Sequence, residues 1–164
     1  MQVDPPLALL VGAVVANGIL VGASLDQSIK QLPARRRIGV AAFSAYSQAA
    51  DLANGRFWYG GLGVATALVT LAATIAGLAD QPTPDRQRTV ALLSMTVGTV
   101  AHSLVTALAA PTNFAQRHAA GDELALARIF DRFQRLQTIR AALQVATLAV
   151  GVWALTATIA GRGT

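Results

Sequence analysis

From Ala141 to Ala160 the chain reads AALQVATLAVGVWALTATIA, twenty residues without a charge. An α-helix rises about 1.5 Å per residue and the hydrocarbon layer of a bilayer is about 30 Å thick, so this stretch is long enough to cross it. Three further apolar blocks precede it, at Leu7 to Leu25, Phe57 to Leu78 and Val90 to Ala110. In hydrocarbon every backbone N–H and C=O needs a partner, and a helix supplies all of them within one segment. The Ala, Leu and Gly content of the blocks lacks the strict alternation of a membrane β-barrel. The predicted fold class is all-α: a four-transmembrane-helix bundle with amphipathic connecting helices on the cytoplasmic side, forming a single integral membrane domain over 1–164.

Composition agrees with that choice. Of 164 residues, 54% are hydrophobic and 13% charged, with a mean hydropathy of +0.50. A soluble domain carries about 25% charged residues, so these values exclude a disordered chain and most soluble domains. The net charge of +5 does not signal a nucleic-acid partner, because the basic residues lie between the apolar blocks and not on one shared face. They read as topology signals. The absence of cysteine excludes a disulfide scaffold, a thiolate metal site and a Cys nucleophile.

Lys30, Arg35, Arg36, Arg37 and Arg56 lie between blocks one and two, and Arg117, Arg128, Arg132, Arg135 and Arg140 between blocks three and four. Only Arg86, Arg88 and Arg162 fall on the other side. The imbalance places both long connections in the cytoplasm and both termini outside the plasma membrane. The segment MQVDPP before block one has no Lys or Arg, unlike the start of a cleaved signal peptide. Pro5 and Pro6 suit a helix start, where no N–H partner is needed.

Both connections carry helical patterning. Ile38 to Asn54 places Ile38, Ala42, Ala45 and Ala49 on one face, and Asn54-Gly55 is expected to end that helix. Gly121-Asp122-Glu123 signals a helix start, followed by an apolar stripe at Leu126, Ile129, Phe130, Phe133 and Leu136 and continuing unbroken into block four. Asp80 to Arg88, DQPTPDRQR, reads as a turn.

Polar side chains inside membrane helices are costly and tend to face the bundle interior. Here they form stripes at helical spacing: Asn17, Ser24, Gln27 or Ser28, and Gln31; Thr66, Thr70 and Thr74; Thr99, His102 and Thr106; Gln137, Arg140, Gln144 and Thr147. The Thr and Ser residues suit close helix packing, as does Gly18-Ile-Leu-Val-Gly22, which reads as a contact inside the bundle or, alternatively, a homo-oligomer face. Three groups point to chemistry. His102 is the one histidine within an apolar block and can act as a base. Arg140 opens block four on the inward stripe, and Asn113 follows Pro111. No metal site is expected, because the blocks hold a single His, and His118 lies in a connection.

Pro111-Thr112-Asn113, together with Phe133-Gln-Arg-Leu-Gln-Thr-Ile-Arg140, resembles the small four-helix membrane proteins grouped with fungal anthrone oxygenases. The Leu32-Pro33 end of helix one and Arg56-Phe57-Trp58 at the start of helix two are also similar. In that family an Asn after helix three is followed by an aromatic, a His or Asn, and an Arg. Here Phe133 replaces the usual Trp, and Gln137 stands at the His or Asn place. The resemblance implies oxidation of a phenolic or polycyclic aromatic, polyketide-like molecule by O₂ with no bound cofactor. His102, Arg140 and Asn113 are then the catalytic candidates, and Asn17, Gln27, Gln31, Trp58, Gln137 and Gln144 the substrate-binding ones. If the family's side chain there transfers a proton, Gln137 cannot; either His102 takes that role or the activity is absent. The alternatives are a non-catalytic membrane binding or accessory protein and a small transporter.

Overall fold

In the computed structural model of the chain, residues 4–80 and 85–161 are described. Arg162 and the middle of the expected turn between blocks two and three, residues 81–84, lie outside them. The described chain is built from helices α1 (Pro5–Asp26), α2 (Leu32–Ile38), α3 (Val40–Ala49), α4 (Arg56–Ala79), α5 (Arg86–Phe114) and α6 (Glu123–Ala160). Four helical stretches, Pro5–Ile38, Val40–Ala79, Arg86–His118 and Glu123–Ala160, are long and apolar enough to cross a membrane. The architecture is the expected all-α four-helix bundle. Neighbours around the ring are α1, α4, α5 and α6, with α5 packed most extensively on α6 and least on α4.

The helix starts follow the sequence. Proline occupies the first turn of α1. Asp85 caps α5 by accepting from the Gln87 N–H at 2.8 Å, and Asp122 caps α6 by accepting from the Ala125 N–H at 2.9 Å. From Glu123 the helix runs unbroken to Ala160. Leu126, Phe130 and Phe133 of its apolar stripe are buried, and Phe43 of α3 meets Phe130 edge-on at 4.9 Å between ring centroids.

Three expected boundaries move. Helix one does not stop at Leu32-Pro33. A wide π turn, Gln27–Gln31, carries α1 into α2, and its altered bonding accommodates a proline ring that a regular α-helix would exclude. The break comes at Gly39, whose φ of 85° favours glycine. Asn54-Gly55 does not end a helix either, because a second π segment, Ala50–Gly55, feeds directly into α4. Block three does not end at Ala110, since α5 continues through Pro111 to Phe114. The amphipathic face of α3 is also rotated. Ile38, Ala42, Ala45 and Ala49 are exposed, while Phe43, Ser44 and Ser47 are buried. One phenylalanine buries more apolar area than several alanines, and the serines gain hydrogen bonds to Gln116.

The inward stripes are found as expected. Asn17, Ser24, Gln27, Thr66, Thr70, Thr74, Thr99, His102, Gln137, Gln144 and Thr147 are all buried, while Val15, Ile19, Val64, Leu68, Val97, Leu104 and Ile159 point outward. Gly18 and Gly22 are a correction: nothing lies within 4 Å of a side chain built on either, so neither makes a contact inside the bundle. The close approach is at Gly98, where an added Cβ would collide with the Thr147 hydroxyl. The small face of α5 lets its backbone lie against α6 there.

This contact predicts a local stability effect. Gly98→Ala should lower stability in detergent by about 1–3 kcal/mol despite alanine's better helix propensity. Adding Thr147→Ala should restore most of the loss, measured as the thermal unfolding midpoint. Gly61→Ala, whose Cβ meets nothing within 4 Å, should not destabilise. Failure of the Thr147 rescue would remove the close approach as the cause.

Candidate functional site

The seam between α4 and α5 closes at one end and opens at the other. Near the Asp80 end, Thr74 Oγ1 lies 2.8 Å from Thr96 Oγ1, and it donates to the Leu92 carbonyl at 3.4 Å. Leu10, Ala13, Ala73, Leu92 and Met95 pack into one apolar cluster there. Toward the arginine-rich end the facing residues are small: Gly60, Gly63 and Ala67 on α4, and Ser103, Ala107 and Ala110 on α5. With no bulk to fill the space, a cleft remains.

The cleft has two chambers sharing Tyr59, Gly60, Thr106, Ala110 and Arg140. The inner one, about 360 Å³, is bordered by His102, Gln144, Leu20 and Val64. That volume lies in the range of small-molecule sites. The outer one, about 170 Å³, is bordered by Gln27, Asp51, Arg56, Asn113 and Phe133. Beyond it Leu32, Phe43, Leu126, Phe130 and Phe133 form a second apolar cluster that closes the bundle end.

Arg140 stands where the chambers meet. Its Nη2 donates to Gln27 Oε1 at 3.4 Å, and its Nε has no partner. Among the described residues no carboxylate pairs with it; the ion pairs there join Lys30 to Asp26, Arg35 to Asp131 and Arg88 to Asp80. His102 is 2% exposed and its Nε2 has no partner; Gln144 is 1% exposed with its Oε1 free. Buried polar atoms are nearly always bonded, so three unpaired groups around one cavity mark a place for a polar occupant. Among the described residues no three His, Asp or Glu side chains converge as a metal group would require.

The other expected site residues separate. Asn113 borders the outer chamber, but its Oδ1 accepts from Gln116 Nε2 at 2.8 Å. Gln116 in turn bonds Ser44 and Ser47, and Ser47 donates to Asp51 Oδ2 at 2.9 Å. This network ties α3 and its π segment to the end of α5. Gln27 joins the cleft, whereas Gln31 donates to Asp26 Oδ2 at 2.6 Å. Asn17 and Gln137 act as helix braces. Asn17 Nδ2 donates to Ala13 O and Thr70 Oγ1, and Gln137 Nε2 donates to the Ser24 carbonyl at 3.3 Å. Neither borders the cleft. Trp58 is 59% exposed and lies outside it. The neighbouring Tyr59, a turn of about 100° around the helix, faces both chambers. The spacing of Gly60, Gly63 and Ala67 along one face was the signal for that side of α4.

The chain matches no protein-family model, no curated protein and no solved structure.

A side chain on the open face of the cleft should block it without disturbing the bundle. Gly63 borders the inner chamber, and an added Cβ there meets nothing within 4 Å. Gly63→Leu should therefore keep the thermal midpoint while weakening uptake of a hydrophobic fluorescent probe about tenfold, a change of about 1.4 kcal/mol. An unchanged probe affinity would show that ligands do not enter between α4 and α5.

Proposed function

We propose that the chain is a multi-pass protein of the plasma membrane, its arginine-rich end cytoplasmic and both termini outside. In this reading the cleft binds a hydrophobic aromatic or polyketide-like molecule and oxidises it with O₂ without a bound cofactor. The observation that carries the proposal is the placing of His102, Arg140 and Gln144 around one cavity, each with a buried polar atom unpaired. The resemblance to anthrone oxygenases at Pro111 to Asn113 and Phe133 to Arg140 supports the same chemistry.

The reaction converts an activated CH₂ between aromatic rings to a carbonyl. His102 removes one proton from that carbon as general base. The negative charge moves to the substrate's conjugated oxygen, where the Arg140 guanidinium stabilises it, while the free Gln144 Oε1 can accept from a substrate hydroxyl. The carbanion passes one electron to O₂, and the radical pair closes to a C–O bond. The resulting peroxide takes its proton from the His102 imidazolium. Loss of water from the hydroperoxide leaves the ketone, so CH₂ and O₂ become C=O and H₂O. Substrate and O₂ both partition into hydrocarbon, and a dry site strengthens each charge interaction.

A second reading, a membrane protein that binds such a molecule without turning it over, draws support from Gln137. It stands at the family's His or Asn position, donates its Nε2 to the Ser24 carbonyl and does not border the cleft. One experiment separates the two. Purified protein in detergent with an anthrone should consume O₂ and yield the quinone. His102→Ala and Arg140→Gln should each lower turnover about a hundredfold or more while leaving the thermal midpoint near that of the parent. Tight anthrone binding with no O₂ uptake above the uncatalysed rate would favour the binding protein and overturn the oxygenase.

A further inference from the structure

A second site lies on the outside of the arginine-rich end. A groove of about 530 Å³ between α2 and α6 is lined by Arg35, Arg36, Asp131, Arg135, Thr138 and Ile139 among others. The Arg35 side chain is only 9% exposed, yet its guanidinium is half-used: Nη2 holds Asp131 Oδ1 at 2.6 Å, while Nη1 is buried without a partner. Arg36 and Arg135 are exposed beside it, and Arg135 spends only its Nε, at 3.4 Å on the Asp131 carbonyl. Three guanidiniums against one carboxylate leave the groove positive.

The depth of the groove selects the ligand. The charge-free block of α6 begins at Ala141. At about 1.5 Å per residue, Ile139 lies about 3 Å outside that boundary and Arg135 about 9 Å. The headgroup layer on each side of a bilayer is about 5–8 Å deep, and an arginine side chain spans the small remainder. The exposed Ile139 therefore sits at the acyl boundary while the guanidiniums stand at the level of lipid phosphates.

We propose that this groove binds the headgroup of an anionic phospholipid, with its phosphodiester oxygens accepting from Arg35 Nη1, Arg36 and Arg135 and its first acyl carbons against Ile139. Charge-assisted bonds from a planar guanidinium suit phosphate oxygens. A basic pocket between helices at the membrane surface is a recurrent headgroup site. A zwitterionic lipid brings the same phosphate but also an ammonium group that the arginines repel. The site is separate from the α4–α5 cleft and does not depend on its chemistry.

The test uses the full chain in detergent with phosphatidylglycerol or phosphatidylcholine added, and reads bound lipid by native mass spectrometry. Phosphatidylglycerol should be retained in preference. R36Q/R135Q removes only exposed side chains, so the bundle stays folded, and retention should fall about fivefold for each arginine removed. R35Q should lose the preference as well; if R35Q fails to fold, the exposed pair still decides. The charge-matched pair R128Q/R132Q on the same helix should keep the preference. Equal loss in both pairs would show diffuse attraction and overturn the site. Full displacement of phosphatidylglycerol by millimolar inorganic phosphate would make it a soluble-anion site and overturn the lipid assignment.

Discussion

The two sides of α5 are packed unequally, and the cleft follows from that difference. At Gly98 the helix lies so close to α6 that Thr147 occupies the place of a side chain. Against α4 it is held only near the Asp80 end, where Thr74 meets Thr96 and Gly77 receives Leu92. α4 is fixed meanwhile to α1 through the Asn17 amide and the Thr70 hydroxyl. A ring of four helices pinned in this way on three seams, and at one end of the fourth, opens along the remainder. In membranes such pins count, because lipid tails offer no hydrophobic gain from helix association and packing and hydrogen bonds must supply it.

The layering of the interior has the same logic. An apolar cluster around Leu10, Leu92 and Met95 fills one end, and another around Leu32, Phe43 and Phe130 fills the other. The polar stripes lie between them. Three hydroxyls there are satisfied by their own helix: Thr99 donates to the Met95 carbonyl, Thr106 to the His102 carbonyl and Thr147 to the Leu143 carbonyl. Such bonds neutralise polarity without linking helices. His102, Gln144 and Arg140 each keep an unpaired polar atom and border one cavity, whereas Asn17, Ser24, Thr66 and Gln137 keep theirs between the helices, away from it.

Periodicity made the inward faces legible. A residue's side of a long helix depends only on its number, so Asn17, Thr70, His102 and Gln144 could be assigned inward from spacing alone. Junctions were less legible. The π turns at Gln27–Gln31 and Ala50–Gly55 depend on how the chain resolves Pro33 and links α3 to α4, and Leu32-Pro33 and Asn54-Gly55 look locally like stops. Trp58 and Tyr59 show how fine the limit is. Both are aromatic and adjacent, and which one faces the cleft depends on a rotation fixed by packing against α1 and α5. The open seam itself was hidden because small residues serve equally to bring helices together, as at Gly98, and to leave space, as at Gly60 and Gly63. Only the partner face distinguishes the two uses, a Thr147 already in contact in one case and further small residues in the other.

Arg140 joins the membrane placement to the proposed chemistry. A charge at the centre of a bilayer costs about 2.5–3.5 kcal/mol on insertion scales, and less near its edge. Arg140 immediately precedes the charge-free stretch of α6, at that edge, and one long hydrogen bond to Gln27 is the contact found for its guanidinium. Were its role to anchor α6 at the interface, it would lie on the exposed face of the helix, where Arg132 and Arg135 are. It lies instead between the two chambers, where it keeps a positive charge facing a space walled by Tyr59, Gly60, Thr106 and Ala110. A cation with no carboxylate in ion-pair contact among the described residues is stabilised most by an occupant that carries or develops negative charge. The apolar chamber beyond it sets the other half of that occupant's character.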